Sequence, residues 1–228
     1  MRIRTVVRMG LAAAMLAAAV YGVAALTAMH AAYETERAAR AFMGQFVALP
    51  VTTSTFADLE GFARRHVVWL WVGDLEHGHR FRPTRAGDLP PGCSADLCDL
   101  DFVFQNTRLE RLGLAPLTDL SCEVQVRHGR TAYRIVDFVS RGTSFGFGSI
   151  VIEDFTGKLE AAVPGRRNIQ KTIINLTPQS TATQRAQSYA FDLHCLAKIG
   201  GCKNSFELLP GPWKDENSFQ ATGAHAGR

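Results

Sequence analysis

The chain has 228 residues, of which 46% are hydrophobic and 20% are charged, so a largely disordered protein is excluded. The net charge is +4, but Arg2, Arg4 and Arg8 supply three of these charges, so no basic patch remains elsewhere and a nucleic-acid binder is also excluded. About 198 residues follow the N-terminal segment, which is enough to form one hydrophobic core.

The N-terminal segment predicts insertion into a membrane. Residues 9–28 carry no charged side chain, and a helix of about twenty residues spans roughly 30 Å, the hydrocarbon core of one bilayer. Arg2, Arg4 and Arg8 flank its start, and positive flanks stay in the cytoplasm. We therefore expect a single pass of the bacterial inner membrane, with the N-terminus cytoplasmic and the main domain in the periplasm.

Two interpretations of this segment remain open. It is either a retained signal anchor or a signal peptide cleaved near Val23-Ala24-Ala25, and cleavage would release a secreted protein. Both interpretations export the body of the chain. We divide the chain into four parts: residues 1–30, the signal anchor or signal peptide; 31–49, a helical stalk; 50–213, the extracytoplasmic domain; and 214–228, a flexible tail.

Hydrophobic periodicity predicts the elements of the exported part. The stalk shows Ala38, Phe42 and Phe46 on one helical face and ends before Pro50. A second helix, a short helical turn and a C-terminal helix are predicted at 55–66, at 107–112 and from about Thr183 to Gly200. Strands are predicted at 67–72, 100–105, 120–127, 131–139, 149–155 and 169–176, with a hairpin turn at His128-Gly129 and a long loop over 73–98. A further turn is expected at 205–209.

These elements predict an α+β fold. An N-terminal transmembrane and stalk helix precedes a mainly antiparallel sheet of five to six strands with flanking helices.

The five cysteines favour disulfides, because an exported chain lies in an oxidising compartment. Local pairing is easiest for Cys93 with Cys98 and for Cys195 with Cys202, while Cys122 falls on an inward strand position and is expected to be a buried free thiol. Zinc is the alternative for the four paired cysteines, although the spacings of four and six intervening residues are wider than structural zinc sites prefer.

The predicted loop at 73–98 contains two histidines whose spacing suits a metal site. His77 and His79 would point to the same side of an extended segment, as a two-ligand clasp requires. The competing interpretation is a solvated polar loop. The sequence shows no catalytic motif and no fingerprint of a cofactor site, so no cofactor is predicted and catalytic residues stay unassigned.

The segment Phe191-Asp192-Leu193-His194-Cys195-Leu196, followed by Gly200-Gly201-Cys202 and Glu207-Leu208-Leu209-Pro210, resembles the tail of a family of N-terminally membrane-anchored bacterial extracytoplasmic proteins of unknown function. The resemblance extends to Ser54-Thr55-Phe56 and to Cys98 ahead of Phe102. It implies an anchored domain and no particular activity. A second resemblance, to small lipoproteins of the outer-membrane assembly machinery, implies only a helix preceding a small antiparallel sheet.

Three functions are compatible with these features. The first is a non-enzymatic, membrane-tethered binding or scaffold domain, whose partner is a protein or a component of the cell envelope. The second is a metal-binding protein or metal-dependent enzyme that uses His77 and His79. The third is a membrane protein whose helices pair through small residues, with the exported domain stabilising the assembly.

Overall fold

The fold is taken from a computed structural model, which describes residues 2–49, 54, 56–66, 69–72, 79–81, 97–142, 146–156, 164–167 and 170–211. Only the backbone is described at residues 2–8, 56–57, 60, 64, 69–72, 79–81, 97–98 and 164–167.

One long helix, α1 (Arg2–Ala48), joins the apolar N-terminal segment to the folded domain. Met9–Ala48 is long and apolar enough to cross a membrane, as predicted from the sequence. Its first part exposes large apolar side chains, whereas Ala28, Ala32, Phe42 and Phe46 are buried against the domain. These buried residues recur at helical spacing and form one stripe along α1. The residues predicted as a stalk therefore pack into the same core as the sheet.

The remaining helices are short. They are α2 (Phe56–Arg65), α3 (Thr107–Arg111), α4 (Ala182–Ser188) and α5 (Ser205–Leu208), together with a 3₁₀ turn at Leu193–Leu196. A capping box, in which Thr181 and Gln184 each bond the other's backbone amide, starts α4.

The strands form one sheet in the order β2-β1-β3-β4-β5-β6-β8-β7. Five longer strands make its centre: β3 (Leu97–Gln105), β4 (Leu117–Arg127), β5 (Arg130–Arg141), β6 (Phe147–Asp154) and β8 (Lys171–Leu176). Three short strands extend its edges: β1 (Trp69–Val72), β2 (His79–Phe81) and β7 (Pro164–Arg167). Only β6 and β8 pair in parallel; the other described pairs are antiparallel. The predicted α+β class is confirmed.

The hairpin of β4 and β5 turns at the predicted dipeptide. His128 and Gly129 both have positive φ, of 54° and 74°, which is the conformation that a two-residue type I′ turn requires. Gly129 adopts it without strain, because it has no Cβ.

The core lies between α1, α2 and one face of the sheet, which we call the inner face. Phe42 is its centre, with ring centroids of Phe46, Phe62, Phe102 and Phe104 at 4.8 to 5.4 Å. The inner face continues through Leu120, Cys122, Val136, Phe138, Val151 and Ile174, all buried. The described helices that pack onto the sheet all lie on this inner face. We call the opposite face the outer face, and no described helix covers it.

The predicted helix from Thr183 to Gly200 is wrong in its continuity. The chain leaves helical geometry after Ser188 and forms the separate 3₁₀ turn at Leu193–Leu196. The break turns the buried Phe191 ring toward Phe138, with centroids 6.0 Å apart, and the Asp192 amide donates to the Leu208 carbonyl. These tertiary contacts outweigh the helical periodicity of the sequence.

Candidate functional site

Several predicted site residues fall outside the described structure. His77 and Cys93 lie outside the described residues, and only the backbone of His79 is described, where it begins β2 opposite Val72. The metal interpretation of His77 and His79 therefore stays a prediction. Cys98 lies on β3 opposite Val126, and its side chain is outside the described part, so its pairing with Cys93 also stays a prediction. Arg2, Arg4 and Arg8 lie in the first turns of α1, with backbone alone described.

The second predicted disulfide is present. Cys195 and Cys202 are bonded, with Cα atoms 5.4 Å apart, and Cys122 is a buried free thiol. Burial raises the pKa of the Cys122 thiol, and the charge of Asp101 raises it further, so this cysteine is unreactive. The Asp192 carboxylate lies close to both sulfurs of the disulfide. Because the sulfurs are bonded to each other, they are not thiolate ligands in this state.

His66 directly follows the end of α2 and is part of an aromatic cluster. Its ring lies 4.5 Å from the Phe62 centroid and 5.0 Å from that of Phe42. Burial lowers the pKa of His66, and the charge of Arg65 lowers it further. Both effects outweigh the favourable interaction that the end of a helix offers a charged imidazole.

The C-terminal end of α1 is held by a buried arginine of the sheet. Arg134 of β5 donates from Nη1 to the carbonyls of Phe46, at 2.8 Å, and Val47, at 3.0 Å. These carbonyls are in the last turn of α1, where a helix has no further amides to donate to them, although that of Phe46 also accepts from the Leu49 amide at 3.3 Å. A guanidinium satisfies them and also offsets the negative end of the helix dipole.

Glu153 of β6 balances the charge of Arg134. The two residues are direct neighbours in the β5–β6 register, and Arg134 Nη2 lies 2.5 Å from Glu153 Oε2. The same carboxylate accepts from Arg185 Nε at 2.7 Å and from Tyr189 Oη at 2.9 Å. We call Arg134, Glu153, Arg185 and Tyr189 the junction cluster, because it joins α1, the sheet and α4.

The junction cluster is electrostatically satisfied. Burial raises the pKa of Glu153, but Arg134 and the hydrogen bonds from Arg185 and Tyr189 outweigh burial and lower the pKa overall. Burial also raises the pKa of the Tyr189 phenol, so Tyr189 stays a donor. Both members of the Arg134–Glu153 pair are almost fully buried, which fixes α1 relative to the sheet. One feature of the sequence indicates this cluster. Arg134 alternates with Val136 and Phe138 on the inward side of the same strand, where an apolar side chain would be expected.

A second set of contacts fixes α1 further toward its N-terminus. Glu36 accepts from Arg40 at 2.8 Å and lies 3.2 Å from His194 Nδ1, next to the disulfide. Ala28 and Ala32 pack with the buried Leu109 and Ala115 in a separate small core. The domain thus contacts α1 along about half of the helix.

The outer face of the sheet has an aliphatic part and an acidic part. Ile135 pairs with Ile152, and Ile150 pairs with Ile173, so these half-buried side chains form one patch, which we call the aliphatic patch. Carboxylates and amides occupy the neighbouring strands β3 and β4: Asp99, Asp101, Asp119, Glu123 and Gln125.

Asp137 lies where these two parts meet. Burial raises its pKa to about 6, Asp119 also raises it, and Lys171 and Arg141 act in the opposite direction. One carboxylate oxygen of Asp137 is buried without a hydrogen-bond partner among the described residues. Such a group is close to its titration point under mildly acidic conditions.

Two clefts are formed by described residues. One lies between α1 and α3 and is lined by Ala31, Thr35, Asn106 and Arg108. The other lies between α4 and Pro210-Gly211 and is mostly apolar. Neither of these two clefts is lined by a carboxylate or an imidazole. Neither therefore gathers the groups that acid–base catalysis requires.

Comparison of the chain with models of protein families, with curated proteins and with solved structures finds no match. The family resemblance of the C-terminal segment therefore stays a prediction.

Proposed function

We propose that the protein is a non-enzymatic, membrane-tethered extracytoplasmic domain that binds a protein partner through the outer face of its sheet. The observation that carries the proposal is the continuity of α1, which runs from an exposed apolar segment into the core of the domain. A tether of this kind holds the domain at a fixed orientation relative to the bilayer.

The junction cluster supports a rigid tether. A flexible stalk would need few contacts with the domain, yet the end of α1 is capped by Arg134 and its Phe42 and Phe46 rings are buried. Rigid placement lowers the conformational-entropy cost of binding a partner, because the domain is already ordered relative to the helix.

The aliphatic patch supports the binding surface. A contiguous apolar patch with a polar rim is typical of a protein interaction site, and the acidic strands beside the aliphatic patch would form such a rim. We expect a partner with an apolar centre and basic residues at the edge that meets Asp101 and Glu123, since Arg127 already neutralises Asp99.

A reporter fusion tests the orientation. Alkaline phosphatase fused to the carboxyl end should be active in cells, because it folds only outside the cytoplasm, while a fluorescent protein that matures only in the cytosol should stay dark. The reverse pattern would overturn the extracytoplasmic assignment.

Photo-crosslinking tests the binding surface. A photoreactive amino acid replacing Ile152 should give one discrete adduct in intact cells, whereas the same group replacing the exposed Arg130 should give none. Ile135→Asp, which places a charge beside position 152, should abolish the adduct, and Gln125→Asp on the acidic part should preserve it. Equal labelling from positions 152 and 130 would contradict the proposal.

A further inference from the structure

The side of the domain nearest the membrane segment is formed by two loops. The Tyr21 hydroxyl donates to the Leu112 carbonyl at 3.2 Å, which brings the loop of residues 112–114 against α1. The Gly200 amide donates to the Leu114 carbonyl at 2.8 Å, which brings the loop of residues 198–200 beside the first. We call these two loops the membrane-proximal loops.

The position of Tyr21 sets the depth of these loops. Tyr21 lies inside the uncharged stretch of residues 9–28, seven residues before its end. A helix rises 1.5 Å per residue, so a bilayer core matched to this stretch would extend roughly 10 Å beyond Tyr21. A loop is not tolerated at that depth in the hydrocarbon, so the helix must lie with Tyr21 and the loop that it contacts at the interfacial layer, where tyrosine side chains are enriched.

The chemistry of the loops suits that layer. Ile199 is 53% exposed and is the one exposed large hydrophobic residue outside α1 in the part of the chain that the structure describes. Leu112 and Leu114 beside it are half-buried. Exposed basic residues border the loops, with Arg108 and Arg111 on α3 and Lys203 after the disulfide. An apolar tip bordered by basic side chains fits a bilayer surface with anionic headgroups.

We propose that the membrane-proximal loops form a second membrane contact, with Ile199 entering the bilayer interface and the bordering basic residues meeting anionic headgroups. This inference rests on the proposed membrane tether. It adds a defined surface of the domain that lies on the lipid, so the domain is held against the bilayer and does not stand away from it.

Photo-crosslinking in vesicles tests the contact. The full chain is reconstituted into vesicles of phosphatidylcholine and phosphatidylglycerol. A photoreactive amino acid replaces one of three residues: Ile199, Arg130 next to the turn of the β4–β5 hairpin, or Leu16 in the apolar segment. Lipid adducts are measured by mass spectrometry. We expect adducts from positions 199 and 16 and several-fold fewer from position 130.

The outcomes separate the inference from the tether on which it rests. Adducts from position 16, with no more from 199 than from 130, would overturn the loop contact and keep the tether. Lack of adducts from position 16 would overturn the tether as well. Replacing Arg108 and Arg111 together by glutamine should lower the share of phosphatidylglycerol among the adducts of position 199, and an unchanged share would overturn the headgroup contact. Cys122 should stay inaccessible to thiol reagents in every variant, which confirms folding.

Discussion

Arg134 occupies a position on β5 where the strand pattern calls for an apolar side chain, between the buried Ala132 and Val136. Its charge is tolerated there because Glu153 and the last carbonyls of α1 satisfy it. A buried ion pair contributes little net stability by itself, but the loss of one partner is costly. At the scale of the residue, the attachment of α1 therefore depends on this pair remaining intact.

Glu153→Gln should destabilise the protein by about 3–5 kcal/mol, because it leaves the buried Arg134 guanidinium without its counter-charge. The measurement is urea unfolding of the full chain in detergent at neutral pH. Arg40→Ala is the control, since the Arg40 side chain is 60% exposed in its pair with Glu36 and should cost at most about 0.5 kcal/mol.

The dependence on pH gives a second measurement of the same pair. The folded pKa of Glu153 is lowered, so its contribution is present above the unfolded pKa and is lost as the pH falls through the folded value. The difference between the wild type and Glu153→Gln should therefore shrink in acid. A difference that stays constant at every pH would contradict the electrostatic role of Glu153.

Asp137→Asn should stabilise the protein, and the gain should depend on pH in the opposite sense. A folded pKa of about 6 means that folding favours the protonated acid, so stability falls as pH rises from about 4 to about 6 and stays reduced above that range. The gain at about pH 8 should be roughly 1–2 kcal/mol, since partial exposure and Lys171 reduce the full effect.

This gain should vanish near pH 4, where Asp137 is neutral in the folded protein. Unfolding by urea at the two pH values measures it. Asp99→Asn on the same face is the matched control: Asp99 pairs with Arg127 at 2.6 Å, so its removal should give no gain at either pH. An Asp137→Asn variant that is less stable than the wild type at about pH 8 would contradict this prediction and would show that the charged Asp137 carboxylate stabilises the fold.

At the scale of the element, the sequence predicts what local periodicity determines. The β4–β5 hairpin, α2, α3 and the end of α1 follow from alternation, capping and turn residues that lie within a few positions of one another. The sequence does not predict the parallel pairing of β6 with β8 or the short β2 within the predicted loop, because these depend on contacts between distant segments. The broken C-terminal helix has the same cause, since its break depends on Phe138 and Leu208.

The candidate sites follow the same division. The Cys195–Cys202 disulfide could be predicted because its cysteines are close in sequence and flank the Gly200-Gly201 turn. The junction cluster could not, because its members come from β5, β6 and the region of α4 and meet only after the sheet has formed. The aliphatic patch likewise depends on strand register, in which Ile135 meets Ile152 and Ile150 meets Ile173.

At the scale of the whole molecule, α1 is both long and apolar enough to cross a membrane and part of the core. Its first part exposes apolar side chains to the surroundings, and its last part fills the space above Phe62, Phe102 and Phe104. In the tether that we propose, the position of the domain relative to the bilayer is set by one continuous helix together with the loops beside Tyr21.

Two truncated chains test whether α1 belongs to the core. A chain that begins at Leu26 keeps Ala28, Phe42 and Phe46 and should unfold cooperatively, like the full chain. A chain that begins at Pro50 loses both phenylalanines, and each buried Phe contributes about 3–5 kcal/mol. The sum approaches the total stability of an ordinary domain, about 5–15 kcal/mol, so this chain should not fold.

Thermal unfolding followed by circular dichroism distinguishes the two chains, and reaction of Cys122 with a thiol reagent gives a second readout. Cys122 contacts Met43 of α1, with sulfur atoms 3.3 Å apart, so removal of α1 should expose this thiol even if some of the sheet persists. The chain that begins at Leu26 should keep the thiol protected. A cooperative transition and a protected Cys122 in the chain that begins at Pro50 would show that the sheet and its short helices fold without α1, and that the helix is only a tether.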